Sequence, residues 1–254
     1  MAMSLGTLAE IDPLETRLSA PDQHRVEAGT SAWNNLYRVA GVAALVVVAL
    51  IPIQAAIYIL RPPPTTVLGY FSIFESNVLL GLLDLDLLLI IDQLLIIAVL
   101  LGLYAALRQT DESVMLVGTL AGGTGALLFI VSREATFSMM WLSQQYAATS
   151  SDADRSTLVA AGQTLLTVYN GTAFSVGYFL SGVAMLLISA VMLRATVFSR
   201  AAGVAGILAG VTGLVPASFG TLGFVLSFIS LLPLLVWLAL IGRRFLQFQP
   251  GSDP

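Results

Sequence analysis

The chain has 254 residues, 57% of them hydrophobic and 10% charged, with a formal net charge of −4. Soluble domains carry about 25% charged residues, so this chain cannot cover a water-facing surface with polar groups and needs lipid as its solvent; its acidic balance gives a nucleic-acid partner no electrostatic support. All 11 basic residues are arginine, there is no cysteine, and His24 is the single histidine, which excludes disulfides, thiolate metal sites, a lysine Schiff base, a lysine-dependent phosphate loop and histidine-ligated haem or zinc inside the membrane part.

Residues 1–35 are polar and acidic. They predict a largely disordered tail with room for a short helix, and no basic start leads into an apolar core as a signal peptide requires. Residues 36–247 predict an all-α, polytopic transmembrane helical bundle, and residues 248–254 a short C-terminal tail. Six spans are expected, at about 36–60, 86–107, 114 to at least 131, 172–193, 201–215 and 222–241. The fifth is short and glycine-rich, and Pro216 is placed to end it. Pro52 and Pro233 are expected kink points in the first and sixth spans.

Two connections carry structure of their own. Pro62, Pro63 and Pro64 break the chain after the first span, and an apolar stretch follows at 70–83. Between the third and fourth spans, "SSDADRSTLVAAGQTLLTV" reads as a helix capped by Ser151, with Asp152 and Asp154 at its positive end. Its stripe of Leu158, Ala161, Leu165 and Val168 is expected to lie on the bilayer or over the bundle. Asn170-Gly171-Thr172 reads as the turn into the fourth span.

The arginines set the orientation. With a cytoplasmic N-terminus, Arg17, Arg25, Arg38, Arg108, Arg194, Arg200, Arg243 and Arg244 lie inside, against Arg61, Arg133 and Arg155 outside. That bias predicts a multi-pass protein of the cell membrane with both termini cytoplasmic.

Small residues recur four apart in two spans, as Gly118, Gly122 and Ala126 and as Ala202, Gly206 and Gly210. Such ridges let helix backbones approach closely in lipid. They predict that the third and fifth spans touch within one bundle, the alternative being a homo-oligomer interface.

Three aspartates open the second span. Asp84 and Asp86 are expected at the outer interface, in water and at the positive end of the helix dipole. Asp92 lies deeper, with Gln93 beside it. Together these groups cover too wide a sector for a lipid-facing side, so they should face the bundle or a wet cavity. Opposite running directions put Arg133 and Glu134 in the same leaflet. The expectation is one outward-facing polar pocket built from Asp84, Asp86, Asp92, Gln93, Arg133 and Glu134, with Asp92 and Arg133 together in it.

The segments "LYRVAGVAAL", "LYAALR", "REATFSMMWLSQQYAA", "YNGTAFSVGYFLSG" and "VMLRATVFSRAAGVAGILAG" occur in an order that resembles a family of small prokaryotic membrane proteins of unknown function. The resemblance covers about residues 36–247. It implies the six-span architecture and a cytoplasmic-membrane location, and it supplies neither an activity nor site residues.

No catalytic or metal-ligating constellation emerges, and no cofactor is implied. Three functions compete. The first is a non-enzymatic binding, sensing or accessory module whose partners are the lipid bilayer and a second copy or another membrane protein. The second is a small transporter or proton-coupled carrier using the outer-leaflet carboxylates. The third is a membrane enzyme acting on a lipid or outer-face substrate.

Overall fold

The computed structural model describes residues 20–248, with side chains from Trp33 onward. All its regular elements are helices. In chain order they are α1 Ala20–Leu60, α2 Val67–Ser76, α3 Val78–Leu85, α4 Leu87–Leu107, α5 Glu112–Ser132, α6 Glu134–Ala148, α7 Asp152–Tyr169, α8 Thr172–Arg194, α9 Arg200–Thr212 and α10 Gly220–Leu246. α1 begins inside the stretch read as tail, and residues 1–19 and 249–254 lie outside the described residues.

Local chemistry starts five of these helices. Thr66, Asn77, Asp111, Ser151 and Ser199 each accept a backbone N–H of the first turn through a side-chain oxygen. Such caps satisfy donors that have no partner within the helix. Asn170 and Gly171 form the turn between α7 and α8, as expected.

Six helices close into a ring. α1 packs on α4, α4 on α5, α5 on α8, α8 on α9, α9 on α10, and α10 returns to α1. One end of the ring is solid. There Leu103, Leu107, Met115, Met192, Leu238, Ile241 and Phe245 are all but fully buried. Phe245 packs edge-on against Phe198 at 5.5 Å and stacks on Tyr37 at 5.8 Å. The outside of the ring is apolar, with Val42, Leu94, Leu120, Phe179, Leu208 and Phe228 all exposed. In water that belt would be untenable, and lipid is the solvent that suits it.

Five stretches are long and apolar enough to cross a membrane: Trp33–Leu60, Leu87–Leu107, Glu112–Ala148, Asp152–Arg194 and Gly220–Leu246. The protein is therefore a polytopic membrane protein. α9 has 13 residues, about 20 Å at the helical rise, against a hydrocarbon core of about 30 Å. It ends at Thr212, ahead of Pro216. Pro52 and Pro233 sit inside continuous helices.

α5 alone, with 21 residues, measures about 31 Å and matches the hydrocarbon. The chain beyond it builds a second layer over the other end of the ring. The apolar stretch after the prolines forms α2 and α3, which pack with α6 and α7 around Val67, Tyr70, Phe71, Phe74, Leu85 and Met139. α7 uses Val159, Leu165 and Leu166 for this contact. Of the stripe read from the sequence, Leu158 and Leu165 are half-buried and Ala161 and Val168 are exposed, while the buried Gly162 faces Val67 and Met139.

The expected contact between the third and fifth spans is not formed as a helix pair. α5 and α9 pack on opposite flanks of α8. A Cβ at Gly118 would meet Ile188 at 3.0 Å, and one at Gly122 would meet Leu100 at 2.8 Å and Ala184 at 3.1 Å. Ala126 and Ala202 are buried. Gly206 faces Ser189 and Trp237, and a Cβ at Gly210 would meet Leu186 at 2.8 Å. Both ridges are therefore packing surfaces, but their shared partner is α8. The tightest α5–α8 approach uses glycines the ridge pattern did not include: a Cβ at Gly177 would stand 2.8 Å from the Gly125 carbonyl oxygen.

Candidate functional site

Two polar sites lie where one was expected. The first sits at the joint between ring and second layer. The α3–α4 helix breaks at Asp86, with φ −125 and ψ −7, and the α5–α6 helix breaks at Arg133, with φ −80 and ψ −6. The two breaks meet. Arg133 Nη1 donates to Asp86 Oδ1 at 3.2 Å, with side chains 4% and 0% exposed. Tyr169 Oη donates to the same oxygen at 2.8 Å, and Thr136 Oγ1 donates to Asp86 Oδ2.

Arg133 is equally committed. Nη2 donates to the Tyr169 carbonyl at 3.2 Å and Nε to Ser132 Oγ at 3.0 Å. Its guanidinium also lies 3.9 Å from the Tyr169 ring centroid and 4.9 Å from that of Phe129. A buried ion pair is tolerated only when such hydrogen bonds satisfy the remaining donors and lone pairs. The Leu85 carbonyl at the α3–α4 break is met from α1, by Tyr58 Oη at 2.7 Å and Gln54 Nε2 at 3.3 Å. On the second-layer side Tyr70 is buried against this group. Burial, and then the Asp86 carboxylate, push its phenol up to about 12, with Arg133 opposing.

This corrects several expectations. Asp86 is not wetted at an interface but fully buried, and it, rather than Asp92, holds Arg133. Asp84 pairs at 2.9 Å with Arg61, which is itself well exposed. Glu134 is exposed and accepts a hydrogen bond from Ser138 at 3.3 Å, so it does not join the buried Asp86–Arg133 pair. The sequence reading missed Thr136, Tyr169, Tyr58 and Gln54. Gln54 alone left a visible signal, an amide in the middle of an apolar span; hydroxyls are too common in such helices to stand out.

The second site is the interior of the ring. A cavity of about 310 Å³ is lined by all six ring helices, among them Ile51 of α1, Asp92 and Gln93 of α4, Phe129 of α5, Tyr178 and Ser181 of α8, Ala209 of α9, and Ser230 and Trp237 of α10. Its walls are otherwise mainly aliphatic, with Val47, Leu89, Ile96, Ile188, Leu231 and Leu234. Asp92 lies six residues, about 9 Å of helix, beyond Asp86. It is 4% exposed, and its Oδ1 has no hydrogen-bond partner. Trp237 Nε1 and Ser189 Oγ are likewise buried without partners. Gln93 stands beside Asp92 as expected, while Arg133 belongs to the other site.

Residues 35–246 match a family model described as Domain of unknown function (DUF4386). No curated protein and no solved structure matches the chain.

Proposed function

The chain belongs to the DUF4386 family, and we propose that it is a non-enzymatic binding module of the cell membrane, which holds a small, largely apolar molecule inside its helix ring against Asp92. In this reading all six ring helices cross the bilayer, both termini are cytoplasmic, and the second layer faces outward. The described arginines support that orientation. Arg38, Arg108, Arg194, Arg200, Arg243 and Arg244 belong to the Phe245 end, whereas Arg61, Arg133 and Arg155 belong to the second-layer end.

One observation carries the binding reading. Asp92 is buried in an apolar cavity with an unpartnered carboxylate oxygen, while Asp84, Asp86 and Asp111 all have arginine partners. An ionisable group inside a membrane is expensive to keep, and an unsatisfied buried acceptor adds to that cost. A ligand that donates to it offsets both. Apolar walls with a few convergent polar groups are the usual composition of a ligand pocket. A carrier would need a second route through the solid Phe245 end, and the buried side chains there favour binding over passage.

The test uses the tryptophans. In a Trp33→Phe, Trp141→Phe background, Trp237 is the only tryptophan left and reports on the cavity. In nanodiscs, 2-phenylethanol should shift its emission saturably, and Ser230→Leu, which fills the cavity, should abolish the saturable part. A linear, unsaturable response that Ser230→Leu leaves unchanged would remove the binding reading. Counterflow of the probe in proteoliposomes would replace it with a carrier.

A further inference from the structure

We infer that the molecule this cavity accepts is an organic cation, a protonated amine or quaternary ammonium carrying an apolar body. The inference rests on the binding reading and adds the ligand's charge.

Charge balance comes first. Asp92 is the only acidic residue lining the cavity, and no arginine lines it. Arg133, the arginine expected to share a pocket with Asp92, is spent: its guanidinium donates to Asp86, Ser132 and the Tyr169 carbonyl. With no basic side chain in the cavity, Asp92 is neutralised either by a proton or by a cation that enters, and a cationic ligand is what lets the carboxylate stay ionised there. In surroundings of low dielectric, a single opposite charge is attracted far more strongly than in water.

The walls point the same way. Tyr178 and Trp237 line the cavity with Asp92. Aromatic faces attract cations through the ring quadrupole, tryptophan most strongly, and the attraction grows when the site is dry. An anion would be repelled by the Asp92 carboxylate, and the donors in the lining, Gln93, Ser181, Ser230 and Trp237, carry no formal charge to offset that repulsion. The remaining lining is aliphatic, including Ile51, Leu89, Ile96 and Leu234, which suits a hydrocarbon body and not a hydrated metal ion. The volume of about 310 Å³ is at the small end of the range for ligand cavities, roughly 300–1,000 Å³. It fits a small amine rather than a whole lipid.

Two probes of nearly one shape separate charge from shape. 2-Phenylethylamine is cationic near neutral pH, and 2-phenylethanol is neutral. Both are titrated against the single-tryptophan protein in nanodiscs of zwitterionic lipid, so that the bilayer itself does not concentrate the cation. The amine is expected to bind at least tenfold tighter than the alcohol, and Asp92→Asn should reduce that preference to within about twofold. Asp92→Glu, which keeps the charge, should retain most of the preference. Equal affinities in the unmodified protein, or a preference that survives Asp92→Asn, would overturn the cation inference and leave the binding reading standing. Saturable binding of neither probe would overturn both. If Asp92→Asn does not fold, the ratio of the two probes on the unmodified protein decides the question.

Discussion

Arg133 and Asp86 meet at 3.2 Å with side chains almost completely buried, although 47 residues separate them in the chain. Each occupies the break between two helices, so the pair ties the α3–α4 joint to the α5–α6 joint. Tyr169 adds the end of α7 through both its hydroxyl and its carbonyl. The second layer is thereby bolted to the ring.

Breaking that bolt from either side should be costly. Asp86→Asn or Arg133→Gln is expected to lose about 3–5 kcal/mol, because the partner is left buried and uncompensated. A double-mutant cycle on thermal unfolding in detergent should give a coupling of more than about 1 kcal/mol. The same cycle with Asp92→Asn and Arg133→Gln should be additive. Coupling in the second cycle and not the first would reverse the assignment of partners.

Two neighbouring glycines of α5 should respond in opposite directions. A Cβ at Gly125 would stand 2.5 Å from Ser181 Oγ and 2.8 Å from the Gly177 carbonyl oxygen, whereas one at Gly123 meets nothing within 4 Å. Gly123→Ala should leave stability unchanged or raise it by up to about 1 kcal/mol through helix propensity. Gly125→Ala should lower it by about 1–3 kcal/mol by forcing α5 and α8 apart. Equal unfolding temperatures for the two variants would mean that the α5–α8 contact is looser than described.

Gly206 tests whether the second ridge serves the monomer. A Cβ there would crowd Ser189 Oγ and Trp237 Nε1, the latter at 2.6 Å, so Gly206→Leu should prevent a stable monomer from forming. Size-exclusion chromatography with light scattering separates the outcomes. A folded monomer that has lost a dimer would make the ridge an oligomer surface.

Tyr70 should make stability fall in alkali. Its phenol is raised from 10.0 to about 12, so the folded state holds this proton more tightly than the unfolded chain. The resulting stabilisation is complete below pH 10 and is lost as the pH climbs through 12. Tyr70→Phe removes the titrating group and should flatten that part of the profile, read as thermal unfolding between pH 9 and 12. Parallel profiles for the two proteins would contradict the assignment.

The orientation proposed here places both termini in the cytoplasm. A reporter that is active only in the cytoplasm, fused after Pro254, should be active. Activity of a periplasm-only reporter at the same position would exchange inside and outside for the cavity, the second layer and every arginine.

Much of the fold could be read directly from the chain. The span from Leu87 to Leu107, the helix capped by Ser151 and the turn at Asn170-Gly171 all follow from local rules. A run of about 20 apolar residues has to become a helix in lipid, since every backbone group must be satisfied within the segment. A serine followed by acidic residues starts a helix wherever it stands. The family resemblance rested on segments of this kind, and the match over residues 35–246 agrees with it.

What the chain alone left open was which polar groups meet. Asp84, Asp86 and Asp92 lie within nine residues of one another, and depth counting made all three candidates for Arg133. The tertiary structure gave Asp84 to Arg61, Asp86 to Arg133, and Asp92 to the cavity. The deciding feature was the helix break at Asp86, where the carboxylate meets Thr136 and Tyr169. Likewise, the small-residue ridges announced close packing but not the partner, because a flat helix surface accepts any other flat surface that the ring presents. Local sequence determines where helices start, stop and enter lipid, since those choices depend on neighbours a few residues away. Which carboxylate remains unpaired depends on where six helices close into a ring, and that is settled by contacts between residues far apart in the chain.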